Sequence, residues 1–316
     1  FEIEKGEISL GYDSLAKEIS TCKVVCIEGY TGVFYEEFLD ELCLSLGLLG
    51  IETYCYYIRS TLHAADKNQK QIQPFLGGDD PVFGKIYKGD LGDFIDASKL
   101  GQIQFEPKGL SIIYGCGASL KAKGDKLIYL DVPKNEIQFR SRAGFDTTLI
   151  KMGERTPKQQ YKQMFFVDWP VLNRHKQKLL KMIDCFVDTQ FITDISWCNN
   201  DTLLSGLQAI SSNAFRVRPW FEPGAWGGDW CLHHIPALNK NVPNYAWSFE
   251  LIVPENGIVL SHGDLRCELS FDCLMYYDQQ AVLGEAAEVF GVDFPIRFDF
   301  LDTFNGGNLS LQCHPK

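Results

Sequence analysis

Ser310, Gln312 and His314 are the residues whose types and spacing most directly suggest chemistry in this chain. They alternate with Leu309, Leu311 and Cys313 in the run 308–315, and a strand repeats with a period of two. The hydroxyl, the amide and the imidazole would therefore share one face, with the apolar side chains on the other. Such a strand can present a metal or a sugar to a cavity. The same spacing also suits a hydrogen-bonded surface pair, and the residues alone leave both readings open. The turn Asn305-Gly306-Gly307-Asn308 joins this segment to an earlier strand over 294–303, since Asn and Gly tolerate the positive φ of tight hairpins.

The run Leu-Ser-Leu-Gln-Cys-His-Pro, with Phe-Pro-Ile-Arg-Phe-Asp-Phe-Leu-Asp before it, resembles the signature of type I mannose-6-phosphate isomerases and the strand leading into it. Two further motifs resemble that family in the same order: Trp226-Gly227-Gly228 its early turn, and Trp247-Ser248-Phe249-Glu250-Leu251-Ile252 its Trp-Glu-Ile-Ser strand. The resemblance covers about 215–314. It implies a cupin barrel that interconverts mannose 6-phosphate and fructose 6-phosphate by moving a proton between C2 and C1 through a cis-enediol. It also implies a catalytic zinc bound by Gln312 and His314 and Ser310 beside the substrate, and it makes Glu250 a candidate for orienting a ligand, with a structural role equally open. The family's remaining zinc ligands, a glutamate and a second histidine, come after the signature and are not in this sequence, so residues 1–316 alone are expected to be inactive. The family's active-site lysine is replaced by Asp299, which should weaken sugar-phosphate binding unless Arg297 compensates. His233, His234 and His262 are the other nearby histidines; a loop pair and an exposed turn are expected for them.

The elements ahead of this region read differently. Residues 23–29 form an apolar run ending in glycine, helical spacing of apolar residues comes next at 34, 38, 39, 42, 46 and 49, and 51–58 reads as a strand. Further buried strands are expected at 110–117, 126–133 and 186–189, with a helix over 201–210. This is the opening of a nucleotide-binding α/β domain. A phosphate loop needs Gly-x-x-x-x-Gly-Lys-[Ser/Thr], but counted from Gly29 the second glycine is Phe34 and the lysine is Tyr35. The region thus resembles a P-loop kinase-like domain without its phosphate chemistry. Arg140 and Arg142 stand where kinases clamp phosphates, and a solvated helix face is the preferred reading for both. Residues 77–100, rich in Gly and Asp, read as a surface segment; the Asp79-Asp80 pair there reads as solvated.

The expected architecture is therefore multidomain. An α/β parallel-sheet kinase-like domain spans 1–205, and the first part of an all-β cupin or jelly roll spans 206–316. A formal charge of −11 argues against nucleic acid as a partner. No apolar run reaches the roughly 18 residues of a membrane span. The eleven cysteines are scattered and mostly flanked by apolar residues, as expected of buried thiols in a reducing cytoplasm. Phe at position 1 and the stop just after the signature suggest a piece of a longer protein, which leaves a targeting segment open. The expected partner is a sugar-phosphate substrate. A non-catalytic sugar-phosphate-binding regulator is the alternative reading, and a P-loop small-molecule kinase is a weaker one.

Overall fold

Along the strand Val24–Gly29, Val25 and Ile27 point into one apolar cluster and Cys26 into another. The same division recurs in Ile112 against Ile113 and in Ile128 and Leu130 against Leu127 and Tyr129. A sheet buried on both faces produces this pattern, because successive side chains point to opposite sides while both sides are dry. In the computed structural model, which describes all residues except 4–5, 81–82, 154, 252–253, 310 and 312–316, that sheet has seven strands. They are β1 (Ile8–Leu10), β2 (Val24–Gly29), β3 (Thr53–Tyr57), β4 (Leu110–Tyr114), β5 (Lys126–Asp131), β6 (Cys185–Asp188) and β7 (Ser196–Asn199). Their order is β1-β7-β6-β5-β2-β4-β3. β3, β4, β2, β5 and β6 are parallel, and β7 pairs antiparallel with both β6 and β1.

One face is covered by α1 (Gly11–Ile19), α2 (Tyr35–Leu48) and part of α7 (Trp169–Leu179). Between them in the chain lie α3 (Ala65–Ile72), α4 (Ala97–Gln102), α5 (Lys134–Arg142) and α6 (Pro157–Gln163). The other face carries α8 (Asn200–Ser211), the hairpin of β10 (Gly257–His262) and β11 (Leu265–Ser270), and the start of α10 (Asp272–Leu283). Leu203 and Leu207 share that cluster with Leu260 and Leu269, so one apolar core runs across position 205. The chain start joins it too: Ser261 N–H donates to the Phe1 carbonyl at 2.8 Å. After α8 come β8 (Trp220–Glu222), α9 (Trp230–His234), β9 (Trp247–Leu251), α11 (Ala287–Phe290) and β12 (Phe298–Leu301), and β12-β9-β8 form a three-stranded antiparallel sheet. The fold is thus a mixed, largely parallel α/β sheet joined to small antiparallel sheets.

One segment departs from its sequence reading. Residues 77–100 are not a surface segment throughout, because Tyr87, Leu91 and Phe94 are buried against the first core. Leu91 and Phe94 belong to the short 3-10 turn Leu91–Phe94, and Arg174 ties the irregular stretch before it down by donating to the Tyr87 and Gly89 carbonyls. Ahead of α7, Met164–Asp168 form a π-helical turn.

That turn buries Asp168 completely, with Leu149 N–H donating to Oδ2 at 3.0 Å and Gln163 Nε2 at 3.2 Å. Burial pushes its carboxyl up to about 7, against the hydrogen bonds that favour its charge. The folded chain then holds a proton that the unfolded chain releases above about pH 4, so this contribution to stability is complete below that and is lost as pH rises to about 7. Asp168→Asn is expected to flatten the slope and to be more stable than the parent by about 2 kcal/mol at pH 8. Urea unfolding at pH 5 and pH 8 checks this; parallel slopes in both proteins would refute it.

Candidate functional site at the carboxyl edge of the sheet

Open α/β sheets hold ligands outside the carboxyl ends of their strands, where the connections diverge. Here β4 and β5 flank β2 on opposite sides, so the divergence falls at the end of β2, where Glu28 and Gly29 lead into residues 30–34. The Arg140 guanidinium fills this loop from beneath. It donates to the carbonyls of Gly32 (2.7 Å), Gln190 (3.0 Å) and Thr189 (3.1 Å) and to Glu136 Oε1 (3.0 Å). It also lies 4.2 Å from the centroid of the Phe34 ring. Arg140 is therefore buried, not solvated: the passage from β5 into α5 brings it back under a loop distant in sequence. Arg142 is the exposed member of the pair and binds Glu222 of β8 at 2.6 Å.

A phosphate cradle turns backbone N–H groups inward, whereas this loop offers the Gly32 carbonyl to the protein's own cation. The space beside it, bounded by Thr31, Tyr35, Tyr57, Arg59, Cys116 and Asp146, is about 60 Å³. That is about two water volumes, far below the roughly 300–1,000 Å³ of small-molecule sites. Millimolar MgATP is accordingly expected to leave the melting temperature unchanged, since only a ligand that prefers the folded state raises it. A rise of several degrees would place a nucleotide here after all.

Next to the loop, Glu28 Oε2 accepts from Ser119 N (2.9 Å) and Ser119 Oγ (2.7 Å) and lies 3.1 Å from His175 Nε2, while Oε1 accepts from Gly117 N (2.6 Å). Burial works to raise the Glu28 carboxyl, but His175 and these donors outweigh it and hold it below the usual carboxylate range. The trio is not a nucleophile relay. One nitrogen, His175 Nε2, faces both Ser119 Oγ and the carboxylate, and the hydroxyl proton already goes to Glu28. Its effect is to pin the turn after β4 to α7.

At the end of β5 lies a buried ionic chain. Lys176 Nζ, fully buried, donates to Asp131 Oδ1 and Asp272 Oδ1, both at 2.8 Å. Lys134 Nζ donates to Asp272 Oδ2 at 2.7 Å. Ser270 N and Oγ complete Asp131 Oδ2, each at 2.7 Å. Burial opposes the charge on Asp272, but the two ammonium groups hold its carboxyl well below the usual range.

In the C-terminal region the motif segments meet. Gly228 N–H donates to the Asp302 carbonyl at 2.6 Å and Gly307 N–H to the Trp226 carbonyl at 3.0 Å. A Cβ at Gly228 would come within 2.4 Å of the Phe304 carbonyl oxygen, so this approach needs glycine. Glu250 pairs through its backbone with Trp220 in the β9–β8 ladder. Asn305 has φ 58°, the left-handed turn expected at the hairpin. Residues 308, 309 and 311 are not strand, and Leu311 is 99% exposed instead of packed on a core, because β12 forms the edge of its sheet among the described residues. Ser310, Gln312 and His314 lie outside the described residues. His233 and His234 end α9, where His234 stacks on Trp230 at 4.4 Å; His262 is exposed at the β10–β11 turn. Among the described residues no group of three or more His, Cys, Asp or Glu could hold a metal ion.

A family model described as a domain of unknown function, DUF8485, matches residues 11–212. The chain belongs to the DUF8485 family. A solved structure from Silicibacter sp. TM1040, provisionally described as a fructose transport system kinase, is similar with a TM-score of 0.36 and 13% identity. The likeness covers 51% of this chain and 92% of that one. No curated protein matches.

The DUF8485 match takes in the loop, Arg140 and Lys176, and it ends just past α8. Sequence reading missed the ionic chain. One signal was present: Lys176 lies in register with Leu172 and Leu179 on the buried stripe of α7, where a lysine must find a carboxylate. The partner Asp272 lies outside the DUF8485 match, so these ion pairs tie the family's domain to the C-terminal region.

Proposed function

We propose that this DUF8485 protein is a kinase-like α/β domain that does not hold nucleotide, succeeded by the opening part of a mannose-6-phosphate-isomerase-like cupin barrel. The whole protein would then interconvert mannose 6-phosphate and fructose 6-phosphate in the cytoplasm. The observation that carries this reading is the run Leu-Ser-Leu-Gln-Cys-His-Pro at 309–315. Supporting it, the family's motifs occur in order, and the turn at 226–228 is hydrogen-bonded to 302–307, the segment that enters the signature. The loop filled by Arg140 supports the loss of nucleotide chemistry.

The donor set fits a metal of catalytic type: an amide oxygen from Gln312 and an imidazole nitrogen from His314 are a mixed set that zinc accepts in open sites. When bound, zinc supplies Lewis-acid polarisation of the sugar carbonyl. Ser310 would donate its hydroxyl proton to a sugar oxygen and orient the substrate, with Glu250 orienting a neighbouring group. Asp299, exposed in β12, favours a second reading, a sugar-phosphate-binding regulator without turnover, because the active-site lysine of the isomerase family is missing at this position. Conversion of mannose 6-phosphate by the full-length gene product separates the two: turnover supports the isomerase, and binding without turnover supports the regulator.

A further inference from the structure

A cavity with apolar walls and a few polar side chains lies away from the loop at residues 30–34. It occupies about 360 Å³ between the α/β sheet and the segment that leads into β12, within the range of small-molecule sites. From the sheet side it is lined by Lys134, Trp169 and Asn173, and from the C-terminal side by Glu255, Asp293 and Arg297. Phe165, Phe271 and Phe294 supply apolar walls.

Three observations specify what fits. First, aromatic residues surround the space: Phe165, Trp169, Phe271, Tyr276 and Phe294 all line it. Second, donors and acceptors are interleaved. Lys134 Nζ gives one proton to Asp272 and keeps others, and the Asn173 carbonyl oxygen accepts from Tyr30 Oη at 2.7 Å, which leaves its NH₂ free to face the cavity. Asp293 is an exposed acceptor, Glu255 keeps Oε1 while its Oε2 accepts from Gln138 Nε2, and Arg297 is an exposed donor. Third, the charges nearly cancel. Lys134 and Lys176 neutralise Asp131 and Asp272, leaving Arg297 against Asp293 and Glu255. An excess of one negative charge disfavours a phosphate ester or another anion.

A compact ligand that both donates and accepts around its edge, has apolar C–H faces and carries no charge is a polyol ring. We infer that this cavity binds a neutral polyhydroxylated molecule of monosaccharide size. Asp293 and Glu255 accept its hydroxyl protons, Lys134, Asn173 and Arg297 donate to its oxygens, and its C–H faces lie on the aromatic walls. The site shares no residue with Ser310, Gln312, His314 or Glu250; it does share Arg297, the arginine that would compensate for the family's lysine, so mannose 6-phosphate is titrated beside the neutral compounds. Because its two sides come from different parts of the chain, an occupant would hold the segment before β12 against α7.

The test is calorimetric titration of the 316-residue chain with D-mannose, D-fructose, D-glucose and myo-inositol, with mannose 6-phosphate in parallel. Saturable binding of at least one neutral compound is expected. Arg297→Met and Asp293→Asn should each weaken it about tenfold or more, the usual cost of losing a hydrogen bond to a charged group. Both positions are exposed, so the melting temperatures of the variants should match the parent. No saturation with any neutral compound would overturn the inference. So would binding that both variants leave unchanged, or tighter binding of mannose 6-phosphate that the same variants weaken.

Discussion

Lys176→Met is expected to cost about 3–5 kcal/mol of folding stability, the range seen when one partner of a buried ion pair is removed. Methionine fills most of the lysine's volume, so the loss is electrostatic more than steric. Asp272 would keep Lys134, at 2.7 Å. Asp131, fully buried, would keep only the Ser270 hydroxyl and N–H against its negative charge. Urea unfolding measures the difference. Asp131→Asn in the same chain should recover part of it, since the charge left alone is then gone. Lys134→Met should cost less, because Asp272 retains Lys176. The acid limb is set by the depressed carboxyl of Asp272: its contribution is complete above the usual carboxylate range and is lost as pH falls below that range. Removing Lys176 should move that loss to higher pH. A loss under about 1 kcal/mol for Lys176→Met would mean that hydrogen bonds and water compensate fully, and that these ion pairs are not what ties the DUF8485 domain to α10.

The second large effect concerns the signature. In the full-length gene product, Gln312→Ala or His314→Ala is expected to lower mannose 6-phosphate turnover by well over a hundredfold. Loss of residues that merely support metal ligands already costs about 10–100-fold. Ser310→Ala should cost less and act mainly through KM, since a hydroxyl that positions substrate contributes to ground state and transition state alike. Steady-state kinetics with zinc analysis on each variant distinguishes the roles. Normal turnover in His314→Ala would remove His314 from the site.

The sheet was legible because its chemistry is local. The runs at 24–29, 110–114 and 126–131 are apolar, β-branched and closed by glycine or aspartate, and each is a parallel strand. The 38, 39, 42 and 46 positions of α2 are buried as their spacing implies. What sequence could not give are meetings between distant residues. Arg140 reads as a solvated helical arginine until α5 is laid under residues 30–34, 108 positions away. Lys176 was visible only as a cation on an apolar stripe, with nothing to name Asp272, 96 residues on, as its partner. At the other end, the Asn305 turn was readable from residue type, but strand pairing after it depends on a neighbour that turn chemistry does not specify.

A metal-dependent sugar-phosphate isomerase behind a nucleotide-free α/β domain is tested most directly by zinc content together with mannose 6-phosphate isomerisation. Both are measured on the full-length gene product, before and after chelation. About one zinc per chain, with turnover that a chelator abolishes and added zinc restores, is the predicted result. Zinc-free protein with no turnover would contradict it, reducing the likeness of 309–315 to one of sequence alone.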